Sequence, residues 1–253
     1  MTTKEHVARI RVQNSGSVIL SSGDKGGVGK SFALRCAAHN LNRWQLDWHG
    51  FDGDARNSHL VRFQPGSQIE PLVLKVDSDF DRLLDKIEGT DPRFHILIDT
   101  PAGSGDVIER RGDRLVKLAQ LLGRPLIRLF ALDEEDDVLM AIQREAPAMG
   151  LGNIVAVLNG RFGPRSSFLL WEKQRRGGLP SVRDAVLGAG GTEIYLPVLP
   201  PLPRMEIRDA RCTFAQALDG RIDLSFSQRS NLSDWIAEME AAFEPFRARI
   251  EGR

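Results

Sequence analysis

Short apolar runs alternate along the chain with longer stretches in which apolar residues return every third or fourth position. Residues 17–21, Ser-Val-Ile-Leu-Ser, are apolar through a β-branched centre, the pattern of a buried parallel strand. Leu34, Ala37, Ala38 and Leu41 then fall at i, i+3, i+4 and i+7, one face of a helix. Residues 44–51 read as a second strand; Asp47 and His49 make it polar and place it near a sheet edge. Residues 72–76 suggest a third strand, and Phe80, Leu83, Leu84 and Ile87 an amphipathic helix. A strand over 94–99, a helix over 107–122 and a strand over 125–132 follow. Next come a helix carrying Val138, Ile142 and Met149, a strand over 153–158, and a last strand and loop over 193–200. Trp235, Met239, Phe243, Phe246 and Ile250 mark a final helix beginning near Asn231 or Ser233, both able to cap it. This alternation predicts an α/β fold, a mostly parallel twisted sheet with helices on both faces. A ligand is expected at the carboxyl ends of the strands.

The first strand and helix are joined by Gly23-Asp24-Lys25-Gly26-Gly27-Val28-Gly29-Lys30-Ser31. A glycine turn in that context is a phosphate cradle: bare backbone N–H groups approach the phosphates and the helix N-terminus adds positive potential. Lys30 would reach the β/γ-phosphates and the Ser31 hydroxyl would ligate Mg²⁺. Asp52 and Asp54 leave the second strand at i and i+2 and so point the same way. Facing the loop, they could hold a metal's water shell and orient an attacking water. Asp99 ends an apolar strand, the placement of a carboxylate that holds Mg²⁺.

The loop resembles the deviant Walker A motif of the ParA/MinD family of P-loop ATPases, whose mark is the extra lysine, here Lys25. The resemblance implies ATP/ADP and Mg²⁺ as cofactors, with slow hydrolysis and a homodimer in the ATP state. It implies that Lys25 crosses the dimer interface to the partner's nucleotide, and that Asp54 positions the hydrolytic water. Lys25, Lys30 and Asp54 are thus the catalytic candidates, and Ser31, Asp52 and Asp99 the metal candidates. Gly26, Gly27, Val28, Gly29, Lys30, Ser31 and Phe32 would line the phosphates. Asn159 matches the asparagine that reads the adenine edge, and Pro200 lies in the loop that covers the base. Thr100-Pro101-Ala102-Gly103 resembles the second switch, where a backbone amide senses the γ-phosphate. Asp24 departs from an ordinary Walker A, which has its first glycine there; a carboxylate beside phosphates is unfavourable unless it points away.

A second resemblance, to the ParA-like proteins of conjugative plasmid transfer, rests on Thr213-Phe214-x-Gln216-Ala217-Leu218 and Leu158-Asn159-x-x-x-Gly163-Pro164. It implies an accessory ATPase of plasmid transfer or mobilisation, acting with a protein partner of that system. The alternatives are a partition ATPase that binds nucleoid DNA non-specifically, and a nucleotide-binding scaffold that does not hydrolyse. Ligases and kinases of the related biotin and cobalamin branches lack the signature lysine, so Lys25 argues against them.

Composition narrows the partners. The 253 residues suit one large domain over 15–253, preceded by an arm over 1–14. With 34 basic and 34 acidic side chains the net charge is zero, so any surface for DNA must be local. The most basic stretch is a helical insertion at about 163–191, carrying Arg165, Lys173, Arg175, Arg176 and Arg183 with Trp171. It reads as a solvated helix face or as a contact for DNA phosphates or a protein. The acidic run 133–137 suits a helix N-terminus. Cys36 and Cys212 form no Cys-x-x-Cys pair, which argues against an iron–sulfur centre. Neither a secretory signal nor a run of 18 apolar residues occurs, so a cytoplasmic protein is expected. Glu238, Glu240, Glu244 and Glu251 on the final helix, at about 231–251, would be repelled by anionic lipid, so that helix should dock on the protein's own body rather than a membrane.

Overall fold

The structure, a computed structural model, describes residues 15–53, 58–173 and 178–251. The expected arm over 1–14, Asp54, Arg175 and Arg176 lie outside the described residues. Seven strands form one parallel sheet: β1 (Val18–Ser22), β2 (Trp48–Asp52), β3 (Ile69–Pro71), β4 (His95–Asp99), β5 (Leu126–Leu132), β6 (Ile154–Asn159) and β7 (Thr192–Leu196). Their order is β3-β2-β4-β1-β5-β6-β7, so β1 is central, with β4 and β5 on either side.

Among the described residues the α-helices of four residues or more are α1 (Lys30–Arg43), α2 (His59–Phe63), α3 (Asp77–Gly89), α4 (Gly105–Leu121), α5 (Asp137–Met149), α6 (Leu169–Glu172), α7 (Val182–Gly188), α8 (Pro201–Ala210) and α9 (Phe226–Ile250). Alternation along each strand divides the core. Ile19, Leu97, Leu129 and Val157 face α1, α2 and α9. Val18, Leu20, Ile96 and Ile98 face α3 and α4, while Phe130 and Ala156 face α5 and α7. Both faces are covered, which is why the strands read as continuous apolar runs.

Three elements differ from the sequence reading. The second strand begins at Trp48; Trp44 instead closes α1, its ring beside Phe246 and near the guanidinia of Arg43 and Arg247. The third strand is Ile69–Pro71, not 72–76. Leu72 and Leu74 are buried, but the last bond to β2 is from the Leu72 amide to the carbonyl of Asp52, where β2 ends, at 2.8 Å. Alternation there reports burial in a loop rather than pairing. The last helix starts at Phe226, five residues before the expected cap, because Ser225 and Gln228 form a reciprocal capping box. Trp235, Met239, Phe243, Phe246 and Ile250 are all buried against the body, and burying each contributes about 1.5–3 kcal/mol. Among the described residues no helix is long and apolar enough to cross a membrane.

Two buried arginines hold the sheet. Arg124 donates to the carbonyls of Gly16, Phe94, Thr90 and Asp91 at the amino ends of β1 and β4. Arg128, in the middle of β5 and fully buried, pairs with Glu145 of α5 at 2.9 Å and also bonds Asn153 Oδ1 and the Gly150 carbonyl. Burial raises Glu145 to about 7 despite that partner. His95 is a packing histidine: its Nδ1 accepts the Ser17 amide, and burial lowers it to about 4.

Candidate nucleotide-binding site

The glycine loop leaves β1 at the carboxyl edge of the sheet and enters α1 at Lys30. It can do so because Gly23, Gly27 and Gly29 take φ of 98°, 81° and 102°, which L side chains rarely adopt. Gly29 is doubly constrained: a Cβ there would lie 2.5 Å from Asn159 Nδ2. Asn159 ends β6 and donates from that nitrogen to the Val28 carbonyl at 2.8 Å, while its Oδ1 accepts the Arg161 amide. The expected base reader is therefore also a buttress under the loop. The Val28 side chain is buried with Phe130 and Val138. Lys30 is folded back, its Nζ donating to the Lys25 carbonyl at 2.6 Å.

Beside the loop, three strand ends meet. Ser21 Oγ donates to Asp99 Oδ1 at 3.0 Å and accepts the Thr100 amide at 2.9 Å. The Ser31 hydroxyl lies close enough to Asp99 to favour its ionised form, yet Asp99 Oδ2 is buried with no hydrogen-bond partner. Burial raises the Asp99 carboxyl to about 6; the neighbouring Asp52 adds to this, and Ser31, Ser21 and Lys30 oppose it. Asp52 stands opposite Asp99 in the β2–β4 register. Its Oδ2 accepts the amides of Leu60 and Val61 at 3.0 and 3.1 Å, capping α2. Asp52 thus anchors the segment after β2 as well as standing beside Asp99. The Gly53 amide donates to the Asp99 carbonyl at 2.8 Å, and a Cβ on Gly53 would meet Pro101 Cδ at 2.6 Å.

The two residues opening the loop are tied to opposite walls. Asp24 is turned onto the start of α4: its Oδ1 accepts the amides of Gly103 at 2.7 Å and Gly105 at 3.2 Å. Lys25 Nζ lies 2.8 Å from Asp133, 2.5 Å from Glu135 and 3.4 Å from Asp137. The hydrogen bonds to Asp133 and Glu135 push the Lys25 pKa above the usual lysine range. The acidic run therefore does more than complement the α5 terminus: it holds the signature lysine within its own chain. Neither tie was foreseen; the only sequence signal was the opposite charge of Lys25 and residues 133–137.

Farther off, the Phe32 ring packs against Phe214 and Trp235, at 5.9 and 6.0 Å between centroids. Pro200 stands at the N-cap of α8, at the same edge of the sheet. The basic stretch is less basic than its sequence suggests. Arg165 and Arg183 both pair with Glu193 of β7, and the Trp171 indole donates to the same carboxylate at 2.9 Å.

A parallel sheet whose central strand feeds a Lys-Gly-Gly-x-Gly-Lys-Ser loop, with an aspartate ending the adjacent strand, is the arrangement of a P-loop nucleotide-binding fold and resembles that of the ParA/MinD family. No family model matches it. It is similar to Protein MobD of Acidithiobacillus ferrooxidans, 23% identical over 228 residues that span 90% of this chain and 96% of the relative. Among solved structures, it aligns with the signal recognition particle receptor FtsY of Elizabethkingia anophelis at a TM-score of 0.49 and 11% identity, over 91% of this chain and 70% of that one. It also aligns with a chain of the MinC:MinD cell division protein complex of Aquifex aeolicus at a TM-score of 0.43 and 15% identity, over 89% of this chain and 96% of that one.

Proposed function

We propose that the protein is an ATP-dependent dimerising switch that slowly hydrolyses MgATP, serving as an accessory ATPase of plasmid transfer or mobilisation. One observation carries the chemistry. A buried carboxylate oxygen without a partner, on Asp99, lies beside the Ser31 hydroxyl at the foot of a loop held open by left-handed glycines. Such an orphan acceptor fits a cation, and Ser31 and Asp99 would hold Mg²⁺ with Asp52 nearby. When bound, the ion would neutralise phosphate charge. The chain's own residues do the rest. The amides of Gly26 to Phe32 and the Lys30 ammonium bind the phosphates, Lys30 exchanging its Lys25 carbonyl for phosphate oxygen. Asp54 orients the attacking water, and Asn159 and Pro200 border the base. Lys25 leaves its carboxylates to reach the nucleotide of a second copy.

The likeness to Protein MobD over nine-tenths of both chains supports the transfer role over partition. Glu193 also offsets one of the two positive charges of Arg165 and Arg183, which weakens a DNA contact through the basic stretch. A sedimentation-velocity comparison tests the switch, using Asp54→Ala protein with saturating MgATP, with MgADP, and without nucleotide. Dimer with MgATP alone is expected, and a monomer in all three states would refute it. Release of labelled phosphate by the unsubstituted protein separates a hydrolase from a scaffold.

A further inference from the structure

Asp24 occupies a position where a charged side chain has no evident place, and the structure gives that side chain a task. Its carboxylate accepts the Gly103 amide at 2.7 Å and the Gly105 amide at 3.2 Å, spanning the start of α4. The fit is close: a Cβ on Gly105 would lie 3.0 Å from Asp24 Cγ, and Gly103 holds a φ of 84°. Ser104, the N-cap of this 17-residue helix, makes no capping bond of its own, because its hydroxyl donates to the Pro101 carbonyl at 2.9 Å. The N-terminal charge of α4 is thus met from the glycine loop, across 79 positions of chain.

The Gly103 amide closes the segment whose backbone is expected to sense a terminal phosphate. We infer that Asp24 is a positioning residue for nucleotide discrimination: its carboxylate holds the Gly103 amide in the absence of nucleotide, and a third phosphate binds by taking that amide from it. The inference rests on the nucleotide-binding reading above. Two anions do not share one N–H, so the arriving phosphate and the Asp24 carboxylate compete. ADP, ending one phosphate short, leaves the tie intact. Asp24 therefore selects against ATP in the resting protein and raises the ATP concentration at which the switch turns.

Asp24→Asn keeps an acceptor oxygen and removes the charge, whereas Asp24→Gly removes both. Binding of MgATP and of MgADP to the full chain is measured by equilibrium titration, and amide hydrogen exchange over 101–106 is followed without nucleotide. Both variants should bind ATP about tenfold more tightly while ADP affinity changes less than about twofold. Exchange over 101–106 should accelerate in Asp24→Gly. If Asp24 were only a helix cap, exchange would change but ATP and ADP affinities would move together; an unchanged ATP-to-ADP ratio overturns the inference while leaving nucleotide binding standing. If neither the unsubstituted protein nor the variants bind either nucleotide, the functional reading itself falls, and this inference with it.

Discussion

Replacing Asp99 by asparagine should make the nucleotide-free protein more stable at neutral pH. The Asp99 carboxyl is buried beside Asp52, and its pKa is raised from 3.8 to about 6. A carboxyl with a folded pKa above its unfolded value binds its proton more tightly when folded. Its contribution to stability therefore falls as pH rises from 3.8 through about 6, and the loss is complete above that. At about 1.36 kcal/mol per pH unit, ionised Asp99 costs the fold about 3 kcal/mol at pH 7. About 1 kcal/mol of that develops between pH 5 and pH 7. Asparagine cannot ionise and can still accept the Ser21 bond. Urea denaturation of both proteins without metal or nucleotide should show the variant gaining over the parent as pH rises, and thermal unfolding should give it a Tm about 6 to 12 °C higher at pH 7. Added Mg²⁺ and nucleotide should stabilise the parent and leave the variant nearly unmoved. A difference in stability that is flat between pH 5 and pH 7, or that favours the parent, would refute the reasoning.

Gly29→Ala should abolish nucleotide binding in the same titration and leave far-UV circular dichroism intact, since a Cβ collides with Asn159 and φ is 102°. Arg128→Met should cost about 3–5 kcal/mol in urea denaturation, because it strands a buried Glu145, whereas the double change with Glu145→Leu should recover most of that loss. Asp133→Asn with Glu135→Gln removes the two carboxylates nearest Lys25 and leaves only Asp137 of the three, so the doubly substituted protein should dimerise at lower ATP in sedimentation velocity.

The architecture was readable because both faces of the sheet are covered. Runs such as Val18-Ile19-Leu20 and Ile96-Leu97-Ile98 carry the strand signal without an alternation that a neighbour could blur. The reading slipped where the pairing partner, not the residue, decides: Leu72 and Leu74 have strand-like burial but lie past the end of β2. It slipped again at α9, where Ser225 and Gln228 outcompete Asn231 and Ser233, a choice that depends on which cap the chain reaches first. In the candidate site, the glycine loop and Ser31 stand out because strand, turn and helix adjoin in sequence, and Asp99 because it ends an apolar run. The ties of Asp24 and Lys25 do not, since they join residues 79 and 110 positions apart. Charge type is visible in a sequence; which carboxylate meets which cation at that separation is set by strand order. Arg128 is a charged side chain inside an otherwise apolar strand, and the packing of α5 on β5, which brings Glu145 to it, shows why it is inside.

That buried pair bears on how the molecule can move. The first turn of α5 brings Asp137 to Lys25, and two turns later Glu145 bolts the same helix to β5. A helix fastened through its middle cannot swing out to follow a departing side chain. The acidic wall is the fixed jaw of a vice and the loop is the moving one, so whatever rearrangement nucleotide brings must be sought on the loop's side of the gap.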